Sequence, residues 1–274
     1  MRMGRPFWSE VSSMFGKIED IVRTSGKRVR DASGFTVENK GTRENLVTSM
    51  DIENEIFLRR ELTSLIPGST FMGEEGDDAR VSDEGYTWVV DPIDGTANFS
   101  RGIPMVGISV ALFKDGEPHM GFVHNPFTDT TYSAVAGGGA FRNGERVHVS
   151  DRELADCIMC TAWCTYEKSM APGCFRVSER MHPMCNDIRR IGTAAVELGL
   201  LSEGAVDLYF EIRLSPWDYS AGLLCVKEAG GCYTGIDGDV DWNEPSPVIA
   251  ANNESNMETL LGVVRDEFDG KRPY

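Results

Sequence analysis

Residues 88–99, Trp88-Val89-Val90-Asp91-Pro92-Ile93-Asp94-Gly95-Thr96-Ala97-Asn98-Phe99, decide how the chain is read. The apolar start predicts a short strand. Pro92 disfavours helix at Asp91 and fixes a turn, so the strand is expected to end at Asp91. Asp94-Gly95-Thr96 reads as a helix start with Asp94 as the N-cap. Gly95 lets the backbone approach a ligand closely. Two carboxylates so placed converge outside the strand's carboxyl end. Hard divalent cations want oxygen donors of this kind, and magnesium commonly takes one or two carboxylates plus phosphate and water. The backbone N–H groups of Gly95 and Thr96 suit phosphate oxygens. Taken alone, the stretch reads more simply as a loop with two exposed aspartates.

Two neighbours in the sequence change that balance. Gly73-Glu74-Glu75-Gly76 follows another short apolar strand and puts a carboxylate at a second strand end. Pro216-Trp217-Asp218 leads into Ala221–Val226, an almost wholly apolar segment predicted to be a buried helix, with Asp218 either its N-cap or a ligand.

Around these stretches the elements follow from periodicity. Phe7, Val11, Met14, Phe15, Ile18 and Val22 recur at helical spacing, predicting a first helix that ends near Gly26 or runs on through Lys27–Arg30. Phe35–Thr48 reads as a hairpin with Lys40-Gly41 at its tip. Thr48 to Asp51 fits a capping box opening a second helix, with Leu58, Leu62, Leu65 and Ile66 as its stripe and Pro67-Gly68 as its stop. Short strands are predicted at 70–73, 87–91 and 105–113. A turn-rich meander runs from Gly121 to Phe141, ahead of an Asn143-Gly144 turn. Composition shifts near Val149. Beyond it come a strand (157–161), a helix (193–203), a strand (206–211) and a helix (218–229) closed by Gly230-Gly231. An antiparallel meander followed by alternating strands and helices implies an α+β fold in two stacked parts, 1–149 and 150–274, sharing one site.

Bulk properties narrow the function. A chain of 274 residues, 41 % hydrophobic and 26 % charged, is an ordinary globular composition. Its net charge of −16, from 43 acidic and 27 basic residues, disfavours nucleic acid and anionic membranes as partners. A small phosphate ester meets the same repulsion unless local cations reverse the field, which points to metals. No run approaches the roughly 18 apolar residues of a membrane span. The N-terminal stretch lacks the apolar core of a secretory signal, and seven cysteines at irregular spacing fit free thiols; a cytoplasmic location is expected.

Other signals carry less. Cys157, Cys160 and Cys164 invite a zinc reading, but on a strand residues three apart face opposite sides, so the thiols diverge. The histidines at 119, 124, 148 and 182 are scattered and read as surface or hairpin residues. No GxSxG elbow supports a serine hydrolase, and Gly137-Gly138-Gly139 reads as a turn.

The series GEE, WxxDPxDGTxNF, GTAA (192–195) and WDxxAG (217–222) resembles the inositol monophosphatase family of magnesium-dependent, lithium-sensitive phosphatases, in order and spacing from Lys40 to Gly231. The resemblance implies a layered αβαβα sandwich of the inositol monophosphatase / fructose-bisphosphatase type and two to three Mg2+ ions. It implies that Glu74, Asp91 and the Ile93 carbonyl hold a first metal, that Asp91, Asp94 and Asp218 hold a second, and that Glu74 helps with a third. Thr96 resembles the hydroxyl that orients the attacking water, with Asp51 as its partner. Gly95 and Thr96 would hold the phosphate. Ala194 and Glu211 fall where family members touch the substrate, alongside Asp94 and Asp218. Lys40 resembles a mobile lysine loop, and Glu75 is given no ligand role. A homodimer is likewise an expectation from the family.

Phosphate monoester hydrolysis is among the slowest of uncatalysed reactions, so metal charge is needed. Two magnesium ions would balance the charge of Glu74, Asp91, Asp94 and Asp218. Inositol monophosphate is the first expected substrate. Fructose 1,6-bisphosphate, histidinol phosphate and other sugar phosphates are alternatives. Nucleotide-specific relatives usually read DPLDGTKEF, unlike DPIDGTANF here, and Glu211 seven residues before Asp218 favours a polyol pocket. A catalytically silent, regulatory binding protein is the rival from another class. The intact Glu74, Asp91, Asp94, Thr96 and Asp218 speak against it.

Overall fold

The computed structural model describes residues 5–41, 45–76, 79–165 and 167–269, and of residues 5–12 the backbone alone. The helical spacing at the start yields α1 (Arg5–Arg30), which continues through the basic stretch. Lys27, Arg28 and Arg30 in its last turn complement the helix dipole. Met14, Phe15, Ile18 and Val22 pack inward, while the Phe7 and Val11 side chains lie outside the described residues.

The predicted hairpin forms from β1 (Val37–Asn39) and β2 (Leu46–Thr48), with Lys40 and Gly41 at its described tip. Thr48 then caps α2 (Ser49–Leu65) in the expected box. Asp51 N donates to Thr48 Oγ1 (3.3 Å) and Thr48 N donates to Asp51 Oδ2 (2.8 Å).

A seven-stranded sheet follows: β3 (Thr70–Gly73), β4 (Tyr86–Asp94), β5 (Gly107–Lys114), β6 (Glu117–Asn125), β7 (Thr130–Val135), β8 (Gly139–Arg142) and β9 (Glu145–Val147). Neighbours pair in chain order, β3–β4 parallel and the rest antiparallel. The four-residue α3 (Thr96–Phe99) sits between β4 and β5.

The second half builds β10 (Ile158–Thr161), α4 (Ala171–Met181), β11 (Asp187–Arg189), α5 (Ala194–Ser202), β12 (Leu208–Leu214), α6 (Pro216–Glu228), β13 (Cys232–Thr234), β14 (Ser246–Ala251) and α7 (Glu254–Glu267). Its strands form a mixed sheet in the order β11-β10-β12-β14-β13. Elements α4, β11, β13, β14 and α7 have no counterpart in the sequence-based expectations.

Four apolar seams hold five layers together. One joins α1 and α2 to the first sheet. A second lies between that sheet and α5/α6. The third joins α5/α6 to the second sheet, and the fourth lies between that sheet and α4/α7. The result is the αβαβα sandwich. Helices α5 and α6 are covered by a sheet on each side, which is why they read as apolar all round. Glycines let them come close: a Cβ on Gly222 would sit 2.6 Å from Leu198 Cβ, and one on Gly121 2.8 Å from the Ala221 carbonyl oxygen.

Cys157 faces the α4/α7 seam and Cys160 the α5/α6 seam, so the two thiols diverge as strand periodicity requires. One histidine departs from expectation. His124 is buried on β6 with Nδ1 2.9 Å from Thr131 Oγ1, and burial pushes its pKa down to about 4. Among the described residues no helix is long and apolar enough to cross a membrane.

Candidate active site

The strand through Asp91 does not end there. β4 continues to Asp94, and its pairing with β5 shifts between Asp91↔Ser109 and Asp94↔Gly107. Three steps on β4 therefore oppose two on β5, which is a β-bulge at Pro92-Ile93. In a regular strand, residues three apart point to opposite faces. The extra residue restores parity, and Asp91 and Asp94 both turn toward the α5/α6 layer. Asp91 Oδ1 accepts Ile93 N at 2.9 Å, which fixes the bulge from within.

Asp94 is not an N-cap. Gly95 holds that position at φ +91°, and no side chain caps α3. Asp94 Oδ2 instead accepts Thr193 Oγ1 (2.6 Å) and Ala195 N (2.7 Å), so it binds the first turn of α5. Gly95 is required on two counts. Its φ disfavours any side chain, and a Cβ would lie 3.1 Å from the Gly192 carbonyl oxygen. The close approach there is to protein backbone.

Asp218 sits one turn further in than a cap. Ser215 is the N-cap of α6, and Ser215 N donates to Asp218 Oδ2 at 2.8 Å, a second capping box. Asp51 occupies the equivalent place in α2. Three helix N-termini thus converge on three of the acidic side chains, where their dipoles favour negative charge.

Ligand oxygens of Asp91, Asp94 and Asp218 lie within 4.8 Å of one another. Glu74 approaches from the parallel neighbour strand: β3 ends at Gly73 opposite Val90, which sets Glu74 beside Asp91. It stands outside the close trio, its Oε1 accepting Lys40 Nζ at 3.1 Å. Lys40 also pairs with Glu75, whose backbone N–H donates to Glu55 Oε2 (2.8 Å). The hairpin tip thus lies within hydrogen-bonding reach of Glu74.

Burial raises the pKa of Asp91 well above the carboxylate range, and Glu74, Asp94 and Asp218 add to it by repulsion. Asp218 is raised well above its usual value by burial and then by Asp94 and Glu74. Burial lifts Asp94 to about 6 despite its bonds to Thr193 and Ala195. Such crowding is unfavourable until a cation enters. The donors are all oxygens, without thiol or imidazole, a set that suits a hard divalent ion.

Beyond the trio, Thr96 Oγ1 lies 2.9 Å from Asp51 Oδ1 and 3.1 Å from the Ile93 carbonyl oxygen, so it can donate to either. Burial raises the pKa of Asp51 against its bonds from Thr48 and Thr96. Asn54 Nδ2 donates to the Pro92 carbonyl (2.9 Å) and secures the bulge from α2. Ala194 opens α5. Glu211, on β12 of the other sheet, accepts Tyr209 Oη at 2.9 Å, and burial lifts its carboxyl to about 7.

Four supporting residues escaped the sequence reading: Thr193, Asn54, Asn98 and Tyr209. Asn98 Nδ2 donates to the carbonyls of Met105 (2.8 Å) and Ile191 (3.0 Å), joining the α3 turn to the approach to α5. Thr193 lies inside GTAA, next to Ala194, so the motif itself carried its signal. Tyr209, two before Glu211 on a strand, shares its face, and that spacing was a usable signal. Asn54 carried no local signal.

A model of the inositol monophosphatase family matches residues 12–268. An inositol-1-monophosphatase of Bacillus subtilis is 32 % identical over 260 residues, covering 93 % of this chain and 96 % of the relative. A Thermotoga maritima protein named fructose-1,6-bisphosphatase/inositol-1-monophosphatase is 37 % identical over 204 residues, 74 % of this chain and 76 % of that one. The crystal structure of extragenic suppressor protein suhB from Bartonella henselae superposes with a TM-score of 0.85 at 30 % identity, covering 92 % of this chain and 98 % of the other. With the bulged aspartates, the capped Asp218 and the sandwich that unites them, this chain belongs to the inositol monophosphatase family.

Proposed function

We propose that the chain is a magnesium-dependent phosphatase acting on a small polyol phosphate monoester, inositol monophosphate first. The observation that carries this is the Asp91–Asp94–Asp218 cluster beside the Thr96–Asp51 pair. Glu74, Asp91, Asp94, Asp218 and the Ile93 carbonyl would hold magnesium, which supplies positive charge for the phosphoryl oxygens and leaving oxygen and lowers the pKa of water. Thr96 has its proton directed at Asp51 or at the Ile93 carbonyl, leaving an oxygen lone pair for a water proton. As water attacks phosphorus, its proton passes to Thr96 Oγ1 while Thr96's own proton passes to Asp51 Oδ1. The P–O ester bond breaks, and the departing alkoxide takes a proton from solvent. The raised basicity of Asp51 suits that acceptor role. Gly95 and Thr96 N–H groups would orient the phosphate, while Ala194 and Glu211 would meet the substrate's hydroxyl face. Lys40 neutralises Glu74 until a cation does so.

Fructose 1,6-bisphosphate is the second reading, favoured by the double name of the Thermotoga maritima relative. Free, mostly buried cysteines support a reducing cytoplasm, and family membership supports a homodimer. The test is phosphate release from inositol 1-phosphate, fructose 1,6-bisphosphate and histidinol phosphate, ranked by kcat/KM with magnesium and with EDTA. We expect inositol 1-phosphate to lead, activity to vanish in EDTA, and lithium to inhibit uncompetitively because it enters after substrate. No magnesium-dependent release from any of them would replace the enzyme with a silent binding protein.

A further inference from the structure

The pair formed by Tyr209 and Glu211 has a use beyond packing. Tyr209 is fully buried on β12, in the seam beneath α5 and α6. Glu211 follows two residues later, so both side chains leave the same face of the strand. The Tyr209 hydroxyl donates to Glu211 Oε2 at 2.9 Å. A carboxylate normally offers two oxygens, which together can grip a pair of adjacent hydroxyls. Here one oxygen is already engaged from below by a side chain that the core holds in place.

We infer that Tyr209 is a positioning residue for substrate selection: its hydrogen bond to Oε2 fixes the rotation of the Glu211 carboxylate and directs Oε1, the oxygen it leaves free, toward one substrate hydroxyl. This rests on the proposed role of Glu211 as the polyol contact. A tyrosine locked in a core is well suited to the task, because its hydroxyl has little freedom and its ring holds the strand face rigid. Directing one acceptor oxygen also gives stereochemical choice. A polyol phosphate is accepted when one hydroxyl, at one distance and angle from the phosphate, meets Oε1, and not whenever any adjacent pair can wrap the carboxylate. The surroundings add to this. Arg190 faces Glu211 with opposite charge, whereas Asp94 repels it, and the hydrogen bond from Tyr209 adds to the attraction of Arg190 in holding the carboxylate.

The experiment compares Tyr209→Phe, Glu211→Gln and the double variant on inositol 1-phosphate and on 4-nitrophenyl phosphate, which has no sugar hydroxyls. Tyr209→Phe is expected to raise KM for inositol 1-phosphate about tenfold, the worth of one charge-assisted hydrogen bond, with a smaller change in kcat. The ratio of kcat/KM between inositol 1-phosphate and the aryl ester falls accordingly. The double variant is expected to lose no more than Glu211→Gln alone, since Tyr209 acts through Glu211. Equal losses on both substrates for Tyr209→Phe, or additive losses in the double variant, would make Tyr209 a packing residue and overturn the inference. If Glu211→Gln itself leaves the substrate ratio unchanged, the role of Glu211 fails instead, and the inference with it. If Glu211→Gln shifts the ratio and Tyr209→Phe does not, the inference about Tyr209 alone is overturned. A Tyr209→Phe protein that does not fold is replaced by Tyr209→His, which keeps a ring but moves the donor: a fall in the ratio relative to the parent is expected, and equal losses on both substrates would overturn the inference.

Discussion

Asp91 is the side chain on which the proposed chemistry depends most. It is buried, flanked by Glu74, Asp94 and Asp218, and its charged form is disfavoured by all of them. Asp91→Asn removes that repulsion while keeping the shape and the bond from Ile93 N. We expect the variant to fold and, in EDTA, to unfold at the same temperature as the parent or higher. Turnover should fall by more than about a hundredfold, since about 2.7 kcal/mol of barrier is a modest share for a group assigned to both metals. Activity within about tenfold of the parent, about 1.4 kcal/mol, would be too little for that role. Glu197 shows that a raised pKa alone does not mark a reacting group. Burial lifts it to about 8, yet its Oε1 accepts Ile191 N at 2.8 Å and braces the approach to α5.

At the scale of elements, the site is a meeting of strand ends and helix starts. The β4 bulge turns two aspartates to one face, the parallel β3–β4 pair brings Glu74 alongside, and α2, α5 and α6 present their N-termini. Helix α6 must lie close to the sheet for Asp218 to reach the others, and Gly121 permits that. A Cβ there would meet the Ala221 backbone, 2.8 Å from its carbonyl oxygen and 3.1 Å from its Cα. Backbone cannot swing away as a side-chain tip can. Gly121→Ala is therefore expected to destabilise the fold by about 1–3 kcal/mol, as overpacking does. It should also weaken magnesium binding by displacing Asp218. Denaturant unfolding and a calorimetric magnesium titration measure the two effects, and parental values in both would refute the close-approach argument.

The whole molecule carries a net charge of −16 and concentrates several buried acids at one point. Both features oppose folding in the absence of cations. A ligand that binds the folded chain alone stabilises it by about 2.7 kcal/mol at a hundredfold excess over its dissociation constant. Adding magnesium to EDTA-treated protein is therefore expected to raise the unfolding midpoint by several degrees, more than sodium chloride does at matched ionic strength. Asp91→Asn should lose most of that increment. Equal shifts from both salts would mean general screening of the acidic surface, not a metal site.

What the sequence determined by itself was local and covalent. Apolar periodicity placed α1 and α2, a continuous apolar run placed α6, turn residues marked the meander, and the GEE, DPIDGT and WD stretches, through their resemblance to a known family, pointed to Glu74, Asp91, Asp94 and Asp218. It missed β14, an interior strand of the second sheet between β12 and β13, and the polar-faced helix α7, whose roles depend on layers remote in the chain. It also ended β4 three residues early, because proline in a strand reads as a stop when its partner strand is unseen. A bulge exists only relative to a partner, so the register of β4 against β5, and with it the common direction of Asp91 and Asp94, was decided by tertiary structure. The same holds for the anchoring of Asp94 on α5 and the grip of Tyr209 on Glu211. Hydrogen bonds from residue 193 to residue 94 form only once the layers have packed, since their energy depends on positions the local chain does not set.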